Sequence, residues 1–164
     1  MKIALISDTH NHIAGVSAVL RILDAEKITT VIHCGDLTRA ETLELFQNFT
    51  IHHVWGNGDL DAIAYQIVAQ SCKPSSTTSE VYSGIIAEKR VAALHGHQSR
   101  LLTSLIENGN YDYVFHGHTH RKRDELIGRT RVINPGAVGG MLRSLRSCAI
   151  LDLKSGDLSS FQID

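Results

Sequence analysis

Cysteine, aromatic residues and surplus charge are all scarce in this chain, and each shortage removes a class of function. The three cysteines, Cys34, Cys72 and Cys148, are odd in number and lack the pairwise spacing of a zinc knuckle or a secreted disulfide framework. They read as reduced thiols. Aromatic residues make up 5% of the sequence, and Trp55 and the tyrosines are too scattered to form base-stacking platforms, so a nucleic-acid module finds little support. Lys plus Arg total 16 against 17 for Asp plus Glu, a formal net charge of -1, so no global field draws the chain to nucleic acid or lipid. Any anion must be bound locally. No apolar run approaches the roughly 20 residues of a membrane span, and the apolar stretch ending at Ile6 meets Ser7-Asp8 too soon for a signal peptide. The expectation is a soluble cytoplasmic protein without a membrane partner, for which a homo-oligomer is compatible. Its 164 residues, 43% hydrophobic and 20% charged, fit one domain over residues 1–164.

Apolar periodicity predicts the elements. Lys2 to Ser7 reads as a strand, and Ile13, Val16, Leu20 and Leu23 recur at helical steps behind it. Thr30 to His33 and Ile51 to Trp55 read as further strands, with a helix over Glu41 to Phe49 between them and another over Ala62 to Ala69. Lys73 to Ser79 has the composition of a surface loop. Glu80 to Ala87 and Arg90 to Leu94 read as a hairpin, Leu101, Leu102, Leu105 and Ile106 mark a helix face, and Tyr111 to Phe115 is the next strand. Short strands are expected at Glu125 to Ile127, Thr130 to Ile133, Ser147 to Leu153 and Leu158 to Ile163. An α/β half followed by a β-rich half predicts two packed sheets flanked by helices.

The abundance is in histidine: ten copies, with His10 and His12, His95 and His97, and His116, His118 and His120 in short clusters. Five polar groups follow five predicted strands: Asp8-Thr9-His10, Gly35-Asp36, Gly56-Asn57-Gly58-Asp59, His95-Gly96-His97 and Gly117-His118-Thr119-His120. Ligands of open α/β sheets bind beyond the carboxyl ends of strands, so these five groups can converge on one site. The pairs Asp8/His10 and His118/His120 are two residues apart, which places both side chains of a pair on one face of an extended segment. Carboxylate, imidazole and amide oxygen without thiolate suit Mn²⁺, Fe, Co²⁺, Ni²⁺ or Zn²⁺ better than Ca²⁺. Asp8, His10, Asp36, Asn57, His95, His118 and His120 exceed what one ion needs. Two ions about 3.5–4 Å apart, sharing a carboxylate, would use them all.

In this order the five groups resemble the signature of the calcineurin-like metallophosphoesterases. The run Ser7-Asp8-Thr9-His10 and the Asn134-Pro135-Gly136 turn resemble more narrowly the small bacterial and archaeal phosphodiesterases of that superfamily. The resemblance implies a four-layer α/β/β/α sandwich of two mixed sheets. It puts Asp8, His10, Asp36 and His120 on one metal and Asp36, Asn57, His95 and His118 on the other, with Asp36 and a hydroxide bridging. The reaction implied is hydrolysis of a small phosphodiester by that hydroxide, with Mn²⁺ or Ni²⁺ as the favoured ions and Asp59 orienting its neighbours. The eukaryotic retromer subunit is a relative with the same scaffold. That relationship gives the rival reading, a protein-interaction scaffold whose metal site is vestigial or structural.

Other residues carry weaker signals. His97 and His12 could hydrogen-bond a phosphate oxygen or act as props for the ligands. His33, His52 and His53 fall inside strands and read as core or surface histidines, and Cys34 as a small buried residue. The basic run of Arg121, Lys122, Arg123, Arg129, Arg131, Arg143 and Arg146 reads either as a solvated hairpin or as an anion-attracting rim beside His120. Superfamily members often carry a leaving-group acid between the asparagine and aspartate of the third group. Gly58 supplies none.

Overall fold

A computed structural model describes residues 1–164, the side chain of Ser144 excepted. In chain order the elements are β1 Lys2–Ile6, α1 Ile13–Ala25, β2 Thr30–His33, α2 Ala40–Leu43, β3 Thr50–Val54, α3 Ala62–Ala69, β4 Thr77–Ser79, β5 Val81–Ile86, β6 Lys89–Leu94, α4 Ser99–Glu107, β7 Tyr113–Phe115, β8 Arg123–Ile127, β9 Thr130–Asn134, β10 Ser147–Asp152 and β11 Leu158–Gln162. None of the described helices is long and apolar enough to cross a membrane.

Period-two alternation divides these strands between two mixed sheets. The first has the order β11-β10-β1-β2-β3-β4 and the second β5-β6-β7-β9-β8. Strands β1 to β4 run parallel, as do β6, β7 and β9, while β10, β11, β5 and β8 pair antiparallel at the margins. Ile3 and Leu5 of β1 point between the sheets, where they meet Val91, Ala93, Phe115 and Ile133. Ala4 and Ile6 point the other way, onto Val16, Val19 and Leu23 of α1. On the far side of the second sheet, Ala92, Val114 and Val132 pack with Ile106 and the partly buried Leu101, Leu102 and Leu105 of α4. Three apolar layers separate four layers of structure, which is the α/β/β/α sandwich expected.

Two expectations need correction. The helix over Glu41 to Phe49 is shorter, because α2 tightens after Leu43 into a 3₁₀ turn at Glu44–Phe46. Buried Leu43 and Phe46 are three residues apart, the spacing that a 3₁₀ turn aligns. The segment Lys73 to Ser79 is not all loop: β4 pairs parallel with β3, and the side chains of His52 and His53 reach Thr77 and Thr78. Its polar composition hid it because an edge strand can be held by hydrogen bonds without burying an apolar face.

His33 and His52 are neutral members of the first sheet. Burial, with His53 alongside, pushes His33 down to about 3, and burial pushes His52 down to about 4. Both values lie below the unfolded reference of about 6.5, so the unfolded chain binds more protons in acid and stability falls as pH drops from that value toward 4. The slope is at most about 1.4 kcal/mol per pH unit for each histidine. Denaturant unfolding of His52→Gln between pH 7.5 and 4.5 should show a shallower fall than the parent; an identical slope would remove His52 from the account.

Candidate metal centre

The five polar groups lie where the strands deliver them. Asp8 follows β1, Asp36 follows β2, Asn57 and Asp59 follow β3, His95 follows β6 and His118 and His120 follow β7. Their loops are held in an unusual backbone state. Asp8, His10, Asp36, His118 and His120 all have φ between 45° and 67°, the left-handed region that non-glycine residues avoid. Such conformations cost of order 1 kcal/mol or more each and persist where surrounding bonds over-determine them. Here the N–H groups of Asp8 and His10 donate to the carbonyls of Gly35 and Asp36, both at 2.9 Å, and Gly117 donates to His95 at 2.9 Å. A Cβ on Gly117 would lie 1.8 Å from Ser7 Oγ, so glycine alone lets this loop reach Asp8.

Asp59 fastens the second and third loops together. Its carboxylate accepts N–H groups from Asp36, Gly56 and Thr38 at 2.8, 2.8 and 2.7 Å, and the Tyr65 hydroxyl at 2.8 Å. His53 Nε2 stands 3.4 Å away. Burial opposes the charge, but His53 and the backbone donors outweigh it and hold the carboxyl well below the usual range.

Around Asp8 the donor set closes. Asp8 Oδ1 lies 3.2 Å from His120 Nε2, 3.9 Å from His10 Nε2 and 4.0 Å from His95 Nε2. His95 Nε2 is 3.5 Å from Asp36 Oδ2. Asp8 with His10 and His120, and Asp8 with Asp36 and His95, each bring one ligand atom per residue within 4.8 Å of the others, so each group could hold an ion. His95 Nδ1 sits 2.8 Å from the Cys34 carbonyl, which can only accept. In the neutral ring the proton is therefore on Nδ1, and Nε2 turns a lone pair toward two carboxylates. Both Asp8 Oδ1 and His95 Nε2 are buried without a hydrogen-bond partner. Buried acceptors facing one another call for a cation between them, and the absence of thiolate limits it to ions that accept oxygen and nitrogen.

The electrostatics agree. Burial raises the Asp8 carboxyl above its ordinary value against the pull of Ser7 and the imidazoles. Burial likewise opposes Asp36, yet His95 and the Gly58 N–H at 2.7 Å hold it low. His95 is raised because Asp36, the Cys34 carbonyl and Asp8 overcome its desolvation.

His118 and His97 stand at the exposed edge, their ring centroids 5.1 and 5.5 Å from that of His95. Asn57 is also exposed, and His118 lies outside the two Asp/His groups. His12 proves to be a prop: Nδ1 caps α1 by accepting the Gly15 N–H at 3.0 Å, and Arg146 lies 3.2 Å from Nε2. Within the basic run, Arg123 pairs with Glu125 and Arg131 with Asp124. Sequence reasoning missed Tyr65 and His53 beneath Asp59. It also missed buried His116, which lies 3.3 Å from Asn134 Nδ2; that amide donates to Gly117 O at 2.8 Å and steadies the last loop.

The chain and its fold have known counterparts. The model of the calcineurin-like phosphoesterase superfamily domain matches residues 1–156. The chain belongs to that superfamily. A phosphodiesterase of Methanocaldococcus jannaschii is 31% identical over 154 residues, 93% of each chain, and a probable metallophosphoesterase of Bacillus subtilis is 24% identical over 94% of this chain and 86% of its own. The solved structure of an archaeal phosphodiesterase superposes with a TM-score of 0.92 at 30% identity, covering 98% of this chain and 99% of that one. Vacuolar protein sorting 29 from Cryptosporidium parvum, at 20% identity, 98% and 97% coverage and a TM-score of 0.67, shares the fold.

Asp59→Asn puts an amide N–H₂ among backbone donors that need an acceptor. It should cost about 2–4 kcal/mol in denaturant unfolding, with Tyr65→Phe losing about 1 kcal/mol. A neutral Asp59→Asn would show that the loops hold themselves.

Proposed function

We propose that the chain is a metal-dependent phosphodiesterase, acting as one domain in the reducing cytoplasm, where free Cys34, Cys72 and Cys148 are at home. The observation that carries the reading is the pair of buried, unpartnered acceptors, Asp8 Oδ1 and His95 Nε2, within a set of Asp and His ligands. Asp8, His10, Asp36 and His120 would hold one divalent ion, and Asp36, Asn57, His95 and His118 a second, with Mn²⁺ or Ni²⁺ favoured. When bound, such ions supply Lewis-acid charge for phosphoryl oxygens and acidify a water to the nucleophile.

The chain's own groups then have defined tasks. Asp36 would serve both ions, with Asp59 holding its backbone and Gly58 N–H and His95 beside its oxygens, while Asp8 is the carboxylate common to the two Asp/His groups. Asp59 positions and does not react. Exposed His97 stands beside His95 and His118 and can donate to a phosphate oxygen or a leaving group. Gly58 contributes no proton; its φ is outside the left-handed region, and a Cβ there would stand 3.1 Å from Asp36 Oδ1. A leaving group of low basicity is therefore the natural one, because it departs with its charge.

The scaffold reading draws on the fold shared with vacuolar protein sorting 29, but that likeness extends to the fold alone. A scaffold has no need to keep two buried acceptors aligned, so the enzyme reading stands.

With Mn²⁺ or Ni²⁺, bis(p-nitrophenyl) phosphate should be hydrolysed, chelator should stop the reaction and lower Tm, and Asp36→Asn should lose roughly a hundredfold or more of the rate. Equal turnover by chelated and metal-loaded protein, or full activity in Asp36→Asn, would return the site to the scaffold reading.

A further inference from the structure

On the His120 side of the centre lies a cavity of about 360 Å³, lined by His120, Ala137, Gly140, Met141, Leu142 and Leu145. Apart from the imidazole, the described side chains that line it are carbon and thioether. Three of those side chains stand out of the core: Met141 is 97% exposed, Leu142 64% and Leu145 60%. A solvated turn gains nothing by ringing a hollow with large apolar groups, and such a patch next to polar ligands marks a binding surface.

The turn is also fixed to the centre. Val138 and Gly139 donate to the carbonyls of Ser7 and Asp8 at 3.0 and 2.8 Å. A Cβ on Gly139 would lie 2.2 Å from Thr9 O, so only glycine permits this approach. From the other end, Arg146 Nε donates to Gly140 O at 2.7 Å while its guanidinium rests against His12. The cavity thus shares a wall, the His120 ring, with the ligand set, since His120 Nε2 is 3.2 Å from Asp8 Oδ1.

We propose that this cavity receives the apolar ester substituent that stays on phosphorus, so that the chain selects phosphodiesters bearing an alkyl or plain aryl group. The assignment rests on the phosphodiesterase reading above. Beside His120, the described lining side chains carry no hydrogen-bonding group to read a base edge, which separates an alkyl or aryl occupant from a nucleobase. A departing alkoxide or phenolate gains negative charge that carbon walls would penalise, whereas the retained substituent gains none. Unbranched Met141 can follow chains of different shape.

Met1 and Met141 are the two methionines, so methyl-labelled methionine gives two resolvable signals. The zinc-loaded protein should be titrated with inorganic phosphate, methyl phosphate, hexyl phosphate and hexanol. The Met141 methyl should move with hexyl phosphate and stay still with inorganic phosphate, and Kd should tighten by roughly fourfold per methylene. Leu142→Ser/Leu145→Ser, both at exposed positions, should lose that chain-length dependence. In turnover, p-nitrophenyl hexyl phosphate should have a lower KM than the methyl ester at similar kcat, both releasing the same leaving group. Equal responses to inorganic and hexyl phosphate, or hexanol binding as tightly as hexyl phosphate, would overturn the assignment. So would concentration-dependent broadening of Met141 without ligand, which would give the cavity to a second copy of the chain. Hexyl phosphate binding as described with neither ester hydrolysed would keep the cavity's preference and discard the phosphodiesterase reading.

Discussion

Two buried polar atoms that face each other without a hydrogen-bond partner, Oδ1 of Asp8 and Nε2 of His95, set the requirement that the rest of the chain is built to meet. Removing a carboxylate from water costs several kcal/mol unless a counter-charge repays it. The three apolar layers make that burial affordable, and the parallel strands bring the carboxylates and imidazoles to one end of the sandwich. Because the left-handed backbone of Asp8, Asp36 and His118 is locally unfavourable, the loops rely on cross-bonds among Gly35, Asp36, Asp59 and His95. Position of charge, strain of backbone and burial of core are therefore one problem solved together.

Much of this was legible in the sequence. The short apolar run before Ser7 and the helical steps of Val16, Leu20 and Leu23 placed the first βα unit, and the strand-end positions of five polar groups pointed to one end of the sheets. What stayed hidden follows from physics that spacing does not encode. Asp59 was expected to orient its neighbours, but it does so through backbone N–H groups, which every residue possesses, so nothing in its neighbours' identities announces which loops it ties. Tyr65 and His53 join it through tertiary packing. The 3₁₀ tightening after Leu43 and the edge strand at Thr77–Ser79 depend on what lies across the sheet, and His12 could be read as a phosphate donor or a prop because capping and phosphate binding use the same ring nitrogens.

The same sandwich is shared by an archaeal phosphodiesterase and by vacuolar protein sorting 29, so the architecture alone decides nothing about chemistry. The decision falls to the donors. Asp8 is common to both candidate ion groups by geometry, while Asp36 is the carboxylate whose surroundings keep it charged. In the proposed two-ion centre, either could supply the shared carboxylate.

Anomalous diffraction from crystals grown with Mn²⁺ tests that claim most directly. The account predicts two peaks at the strand ends, one beside Asp8, His10 and His120 and one beside Asp36 and His95, close enough to share a carboxylate. A single peak, or none at this end of the sandwich, would contradict it.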